Sequence, residues 1–152
     1  MFSGGGRTVA WRRNLFGAAC ICIIGIVWMG TAGGLDQKSR VERQFHADLE
    51  ELTQTAELAL AGQEVEAPSA WLDVSRFDDV VCFDYGGWGV GPSTQYCGVN
   101  YVADDRLVGF QGTSMEGAVL EGDGWLWEQA DGDNCCYVER LAPCWYYFEA
   151  KF

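Results

Sequence analysis

From Leu15 to Ala32 the chain runs eighteen residues without a single charge, LFGAACICIIGIVWMGTA. As a helix this stretch would reach ~27 Å at about 1.5 Å per residue, against ~30 Å of bilayer hydrocarbon. It carries no polar stripe, whereas a helix lying on a globular surface shows one. Leu15, Phe16, Ile21, Ile23, Ile24, Ile26 and Val27 together favour insertion by about 2–4 kcal/mol, and Trp28 falls where an interfacial aromatic is expected. Lipid is therefore the predicted solvent for this run.

Charge sets the expected orientation. Arg7, Arg12 and Arg13 precede the run, and no acid appears before Asp36, which predicts a cytoplasmic amino terminus and an exported remainder. Lys38, Arg40 and Arg43 follow soon after, so the orientation rests on the amino-terminal charge. The leading expectation is an uncleaved anchor over 15–33, with lipid as its partner. A signal peptide cut after Ala32, where Gly30 and Ala32 supply small residues, is the second version. A twin-arginine signal built on Arg12-Arg13 is the third.

The chain after the run has a different character. Residues 36–152 carry all 22 acids and seven bases, a net charge of −15. Such a surface repels phosphate backbones, so nucleic acid is not an expected partner. An envelope protein or polymer is. The aromatic and aliphatic content suffices for one packed domain. The expected fold class is α+β: a transmembrane helix, an amphipathic helix, then a small antiparallel β-sheet or partly open barrel. The domain expectation is a basic flank over 1–14, the anchor over 15–33, an amphipathic helix or stalk over 36–66, and a β-rich acidic domain over 68–152.

The helix is read from Val41, Phe45, Leu49, Leu52, Ala56 and Ala59, which recur every three or four residues. It stops near Gly62, before Pro68. Its apolar face either docks on the domain or pairs with a second copy, a homodimer through 36–62. Beyond Pro68, short runs rich in Val, Tyr, Trp and Phe predict strands near 80–84, 95–102, 107–111, 118–121, 125–129, 135–140 and 145–150. Gly86-Gly87-Trp88-Gly89-Val90-Gly91-Pro92 reads as a flexible loop, with no lysine or hydroxyl pair to make it a phosphate loop.

Five cysteines fall in the domain, and an exported location permits disulfides. Cys82–Cys97 is the first expected bridge. A second joins Cys144 to Cys136 or Cys135 across a predicted hairpin, leaving one thiol over. No metal site is expected, because no CxxC pair exists and His46, the sole histidine, is remote in sequence. Asp131-Gly132-Asp133-Asn134 lacks the ligand spacing of a calcium loop and reads as a turn. No catalytic residues and no cofactor are expected, since no GxSxG or HExxH motif occurs. The candidate contact residues are Trp88, on the glycine-rich segment, and Trp125 with Trp127, which share one face of a predicted strand. The rival expectation is a small exported enzyme using carboxylates near Gly86–Pro92.

Trp71, the run Val80-Val81-Cys82-Phe83-Asp84-Tyr85-Gly86, then Asp105-Arg106-Leu107-Val108-Gly109-Phe110 and the closing Glu149-Ala150-Lys151-Phe152 resemble short bacterial membrane-anchored proteins of unassigned function. The resemblance covers roughly the last 80 residues and implies no activity. The sequence thus leads to a binding or structural module of the cell envelope, held at the cytoplasmic membrane.

Overall fold

Among the described residues the helical periodicity of the sequence becomes an α-helix over 37–60 (α1). The computed structural model describes residues 37–90 and 93–152. Ser39–Phe152 form one compact unit, and Met1–Lys38 fall in a separate one. The uncharged run 15–32 and its basic flank lie outside the described residues. Among the described residues no helix is long and apolar enough to cross a membrane.

Val41, Phe45, Leu52, Ala56 and Ala59 line one side of α1 and are all buried. Each large apolar side chain removed from water in this way contributes about 1.5–3 kcal/mol. The helix ends because Gly62 takes a left-handed conformation, φ 80°. Its N–H donates to the Ala59 carbonyl, and that of Gln63 reaches Leu58, satisfying two carbonyls of the last turn. Arg76 adds a third device: its guanidinium donates to the carbonyls of Ala59 and Leu60, placing positive charge at the negative end of the helix.

Seven antiparallel strands form a single open sheet: β1 (Asp73–Phe77), β2 (Val80–Val90), β3 (Ser93–Val102), β4 (Val119–Glu121), β5 (Gly124–Glu128), β6 (Cys135–Ala142) and β7 (Trp145–Lys151). Their order is β1-β2-β3-β7-β6-β5-β4. Two meanders, β1–β3 and β4–β7, are thus joined along β3 and β7. Edge strands β1 and β4 do not meet, so the α+β class holds and the sheet does not close into a barrel. The one α-helix among the described residues lies on one face, its apolar side buried against Val81, Phe83, Val99, Trp145 and Tyr147.

The other face is covered by the long connection from β3 to β4, residues 103–118. Val108, Phe110 and Met115 from this strap pack on Val80, Val102, Val138 and Phe148. Its polar groups find partners in a row across the sheet. Buried Asn100 donates its amide to the Gly109 carbonyl at 3.0 Å, and Tyr146 donates its hydroxyl to the Asp105 carbonyl at 2.7 Å. Asp105 in turn pairs with Arg140 and accepts the Cys144 backbone N–H. Leu107–Gln111, expected as a strand, is therefore strap. It holds only an isolated bridge, Val108 to Ser114, and a short 3-10 turn, Phe110–Gly112, with Gln111 at φ 54°. Its apolar residues are buried by lying over a sheet, without joining one.

Gly86–Val90, expected as a loop, is the second half of β2. Pairing with Ser93–Cys97 overrides the weak strand preference of glycine.

Candidate functional site

The β1–β2 hairpin turns through Asp78-Asp79, with Asp78 at φ 54°, a conformation aspartate tolerates better than most residues. This register sets Asp73 directly opposite Asp84, and Ser75 opposite Cys82. Residues two apart on a strand share a face, so the four side chains stand together on the strap side of the sheet. The Ser75 hydroxyl donates to the Asp73 carboxylate at 2.8 Å, and the Cys82 thiol to Asp84 at 3.9 Å. Two carboxylates directly opposite on neighbouring strands repel one another. Among the described residues no lysine or arginine forms an ion pair with either. Burial pushes the Asp84 carboxyl above its ordinary range, and the Asp73 charge pushes it the same way. Cys82 is buried beside them; desolvation, reinforced by Asp84, keeps its thiol protonated, which removes it as a nucleophile.

At Asp84 the sheet changes. The pairing of β1 with β2 ends with Asp73–Asp84, and a bulge at Tyr85 shifts the register between β2 and β3. From Gly86 to Val90, β2 is paired with β3 alone and becomes the outer strand. An outer strand presents a row of N–H and C=O groups outward. Gly86 and Gly87 bring no side chain to it, and a Cβ on Gly87 would lie 2.6 Å from the Gln95 carbonyl oxygen. Trp88, opposite Gln95, and Tyr96, opposite Gly87, project to opposite faces, with relative exposures of 41% and 36%. Tyr96 stacks on Phe110 of the strap, ring centroids 5.3 Å apart.

The other contact candidates sit elsewhere. Trp125 and Trp127 do share a face of β5, opposite Val138 and Cys136, where they are half-buried against the strap-side core. Four strand positions separate β5 from β2, so the three tryptophans do not form one platform. His46 is exposed on α1, its ring 5.2 Å from that of Phe45. Among the described residues no cluster of three His, Cys, Asp or Glu is placed to hold a metal ion.

The expected disulfides are corrected by the register. All five domain cysteines are free. Cys82 lies on the strap face opposite Asn100, whereas Cys97 is packed in the core beneath α1 and donates its thiol to the Gly86 carbonyl at 3.3 Å. A bridge would have to pass through the sheet. Cys144 occupies the β6–β7 turn at φ 67°, while Cys135 and Cys136 pair with Lys151 and Ala150 at the far end of the same hairpin. At about 3.4 Å per residue, these positions are ~20 Å apart, far beyond the reach of a disulfide.

Asp73 and Ser75 escaped the sequence reading because β1 did. Their signal is the alternation in Asp73-Val74-Ser75-Arg76-Phe77 followed by the Asp78-Asp79 turn. No family model, curated protein or solved structure matches this chain.

Proposed function

We propose that this chain is a membrane-tethered binding module: residues 15–33 hold it at the cytoplasmic membrane, and the acidic α+β domain engages a ligand outside the cytoplasm. The observation that carries the binding role is the outer edge of β2 over Gly86–Val90, emerging beside two carboxylates with which no lysine or arginine among the described residues forms an ion pair. The tether is supported by the uncharged run and its arginine flank. Trp88 is the contact residue this reading favours, and Trp125 and Trp127 are parts of the strap-side core.

Membrane fractionation combined with protease added to spheroplasts tests the placement. The chain is expected in the membrane pellet, with its carboxyl-terminal domain digested from outside. A full-length chain in the soluble cytoplasmic fraction overturns it.

One observation favours a second reading, an exported enzyme of the envelope. Asp73 and Asp84 face each other at a cross-strand pairing distance of about 5 Å. Burial and the neighbouring Asp73 charge raise the Asp84 carboxyl, the direction that the general acid of a glycoside hydrolase needs. Turnover of isolated envelope polysaccharide, abolished by Asp84→Asn, decides for this reading; a null result with the folded protein decides against it.

A further inference from the structure

We infer that the free edge of β2 takes up an extended, basic peptide segment as an eighth strand, laid along Gly86–Val90 with its cationic side chains against Asp73 and Asp84. The inference deepens the binding-module reading and rests on it, but not on the membrane tether.

Three features of this edge point the same way. Beyond Asp84 no described strand lies outside β2, and Gly87 is exposed on that edge with no side chain in the way, whereas the Gly86 carbonyl is already taken by the Cys97 thiol. Natural sheets guard such an edge with an outward lysine, a covering element or an interrupting proline. Here Gly86-Gly87-Trp88-Gly89-Val90 carries no charge, and only the bulge at Tyr85 interrupts the strand. Backbone pairing alone would accept any sequence, so selectivity comes from flanking side chains. The carboxylates of Asp73 and Asp84 stand where β1 leaves, with no ion pair to them among the described residues, in a chain with a formal net charge of −12. A lysine or arginine arriving on the added strand relieves their mutual repulsion and supplies the missing cation. Trp88 and Tyr96 flank the edge on its two faces and give the incoming side chains aromatic surface to cover, including cation–π contact.

The opposite edge lacks these properties. β4 is only three residues long, Val119–Glu121, and its exposed side chains are aliphatic and acidic.

The experiment uses the full-length chain in nanodiscs of zwitterionic lipid. The probe is a dye-labelled ten-residue peptide of alternating lysine and threonine. Two companion peptides are N-methylated at odd or at even backbone nitrogens. Saturable binding by fluorescence anisotropy is expected for the plain peptide, with slowed amide hydrogen exchange at Gly86–Gly89. One N-methylated companion, blocked on the pairing side, is expected to bind at least about tenfold more weakly. The Asp73→Asn/Asp84→Asn double variant is expected to lose about tenfold in affinity, the effect of removing two cross-strand charge pairs.

Equal binding of all three peptides overturns the inference, because it leaves only diffuse electrostatic attraction. So does absence of saturable binding while the far-UV circular dichroism stays native. Protection of Gly86–Gly89 by a second copy of the chain, seen as a concentration-dependent dimer without peptide, overturns it too. A soluble cytoplasmic location refutes the tether alone, and the same titration of the full-length chain is then run in buffer without nanodiscs, so the two failures are separable.

Discussion

Replacing Phe45 by alanine asks whether α1 is part of the domain or a stalk standing off it. The ring is fully buried, 5.3 Å from Trp145 between centroids and tilted at 59° to it, in one cluster with Val41, Leu52 and Phe83. Truncating a buried phenylalanine removes its transfer energy and leaves a cavity that the sheet side cannot fill, a loss of about 3–5 kcal/mol. A domain of this size has roughly 5–15 kcal/mol in total, so about a fifth or more of its stability goes. With a urea dependence of about 1–3 kcal/mol per molar, the midpoint should fall by roughly 1–5 M. The assay is urea unfolding of the full-length chain in non-ionic micelles, followed by tryptophan fluorescence, since Trp145 reports on the same contact. His46→Ala is the companion: its side chain is exposed on the same turn and should shift stability by less than about 0.5 kcal/mol. If both variants unfold at the same urea concentration, α1 does not contribute its apolar face to this core, and the packing argument fails.

Asp84→Asn should stabilise the protein at pH 7. A carboxyl whose folded pKa is raised adds stability only below its unfolded value and loses it as pH climbs through the folded one; the gain over wild type should therefore vanish at and below about pH 3.8, checked by thermal melts across pH. Alkylation of the native protein without reductant should modify Cys135 and Cys144 first, because both are partly exposed, and spare Cys82, Cys97 and Cys136 until denaturant is added. Burial pushes the Cys136 thiol up to about 11, which slows it further, and intact mass after denaturing alkylation should show all five domain thiols modified. Gly98→Ala should prevent folding, since its Cβ would sit 2.0 Å from the Phe83 carbonyl oxygen and 2.9 Å from the Phe148 ring. Arg76→Ala should cost about 1 kcal/mol by leaving the last carbonyls of α1 without their cation, read as a lower melting temperature.

The helix was legible because its apolar residues repeat at helical spacing and a glycine closes it; the expected span 36–66 contains the observed 37–60. Six strands, β2 to β7, were legible for the same reason, alternation being a local property. The pairing of Trp125 with Trp127 on one face follows directly from the two-residue period. What failed depended on partners distant in sequence. Val108 and Phe110 look like strand residues, yet they are buried by draping over β3, β6 and β7, a fact no window of sequence contains. Gly86–Val90 looks like a loop until Ser93–Cys97 is seen to pair with it. The site inherits both errors. Asp84 was visible only as one carboxylate near a glycine run; its apposition to Asp73 exists only once β1 and its register are known. Register also undoes Cys82–Cys97, because parity along each strand decides which face a thiol reaches, and the length of the β6–β7 hairpin separates Cys144 from Cys135 and Cys136.

The seam between β3 and β7 has a kinetic consequence. Each meander assembles from neighbours through short turns, but Gln95–Tyr101 can zip to Trp145–Lys151 only after residues 103–144 have been gathered into a closed loop. That closure exacts its entropy before any seam contact rewards it. The strap belongs to this same loop, so its docking and the zipping of the seam should arrive in one late, shared step of refolding.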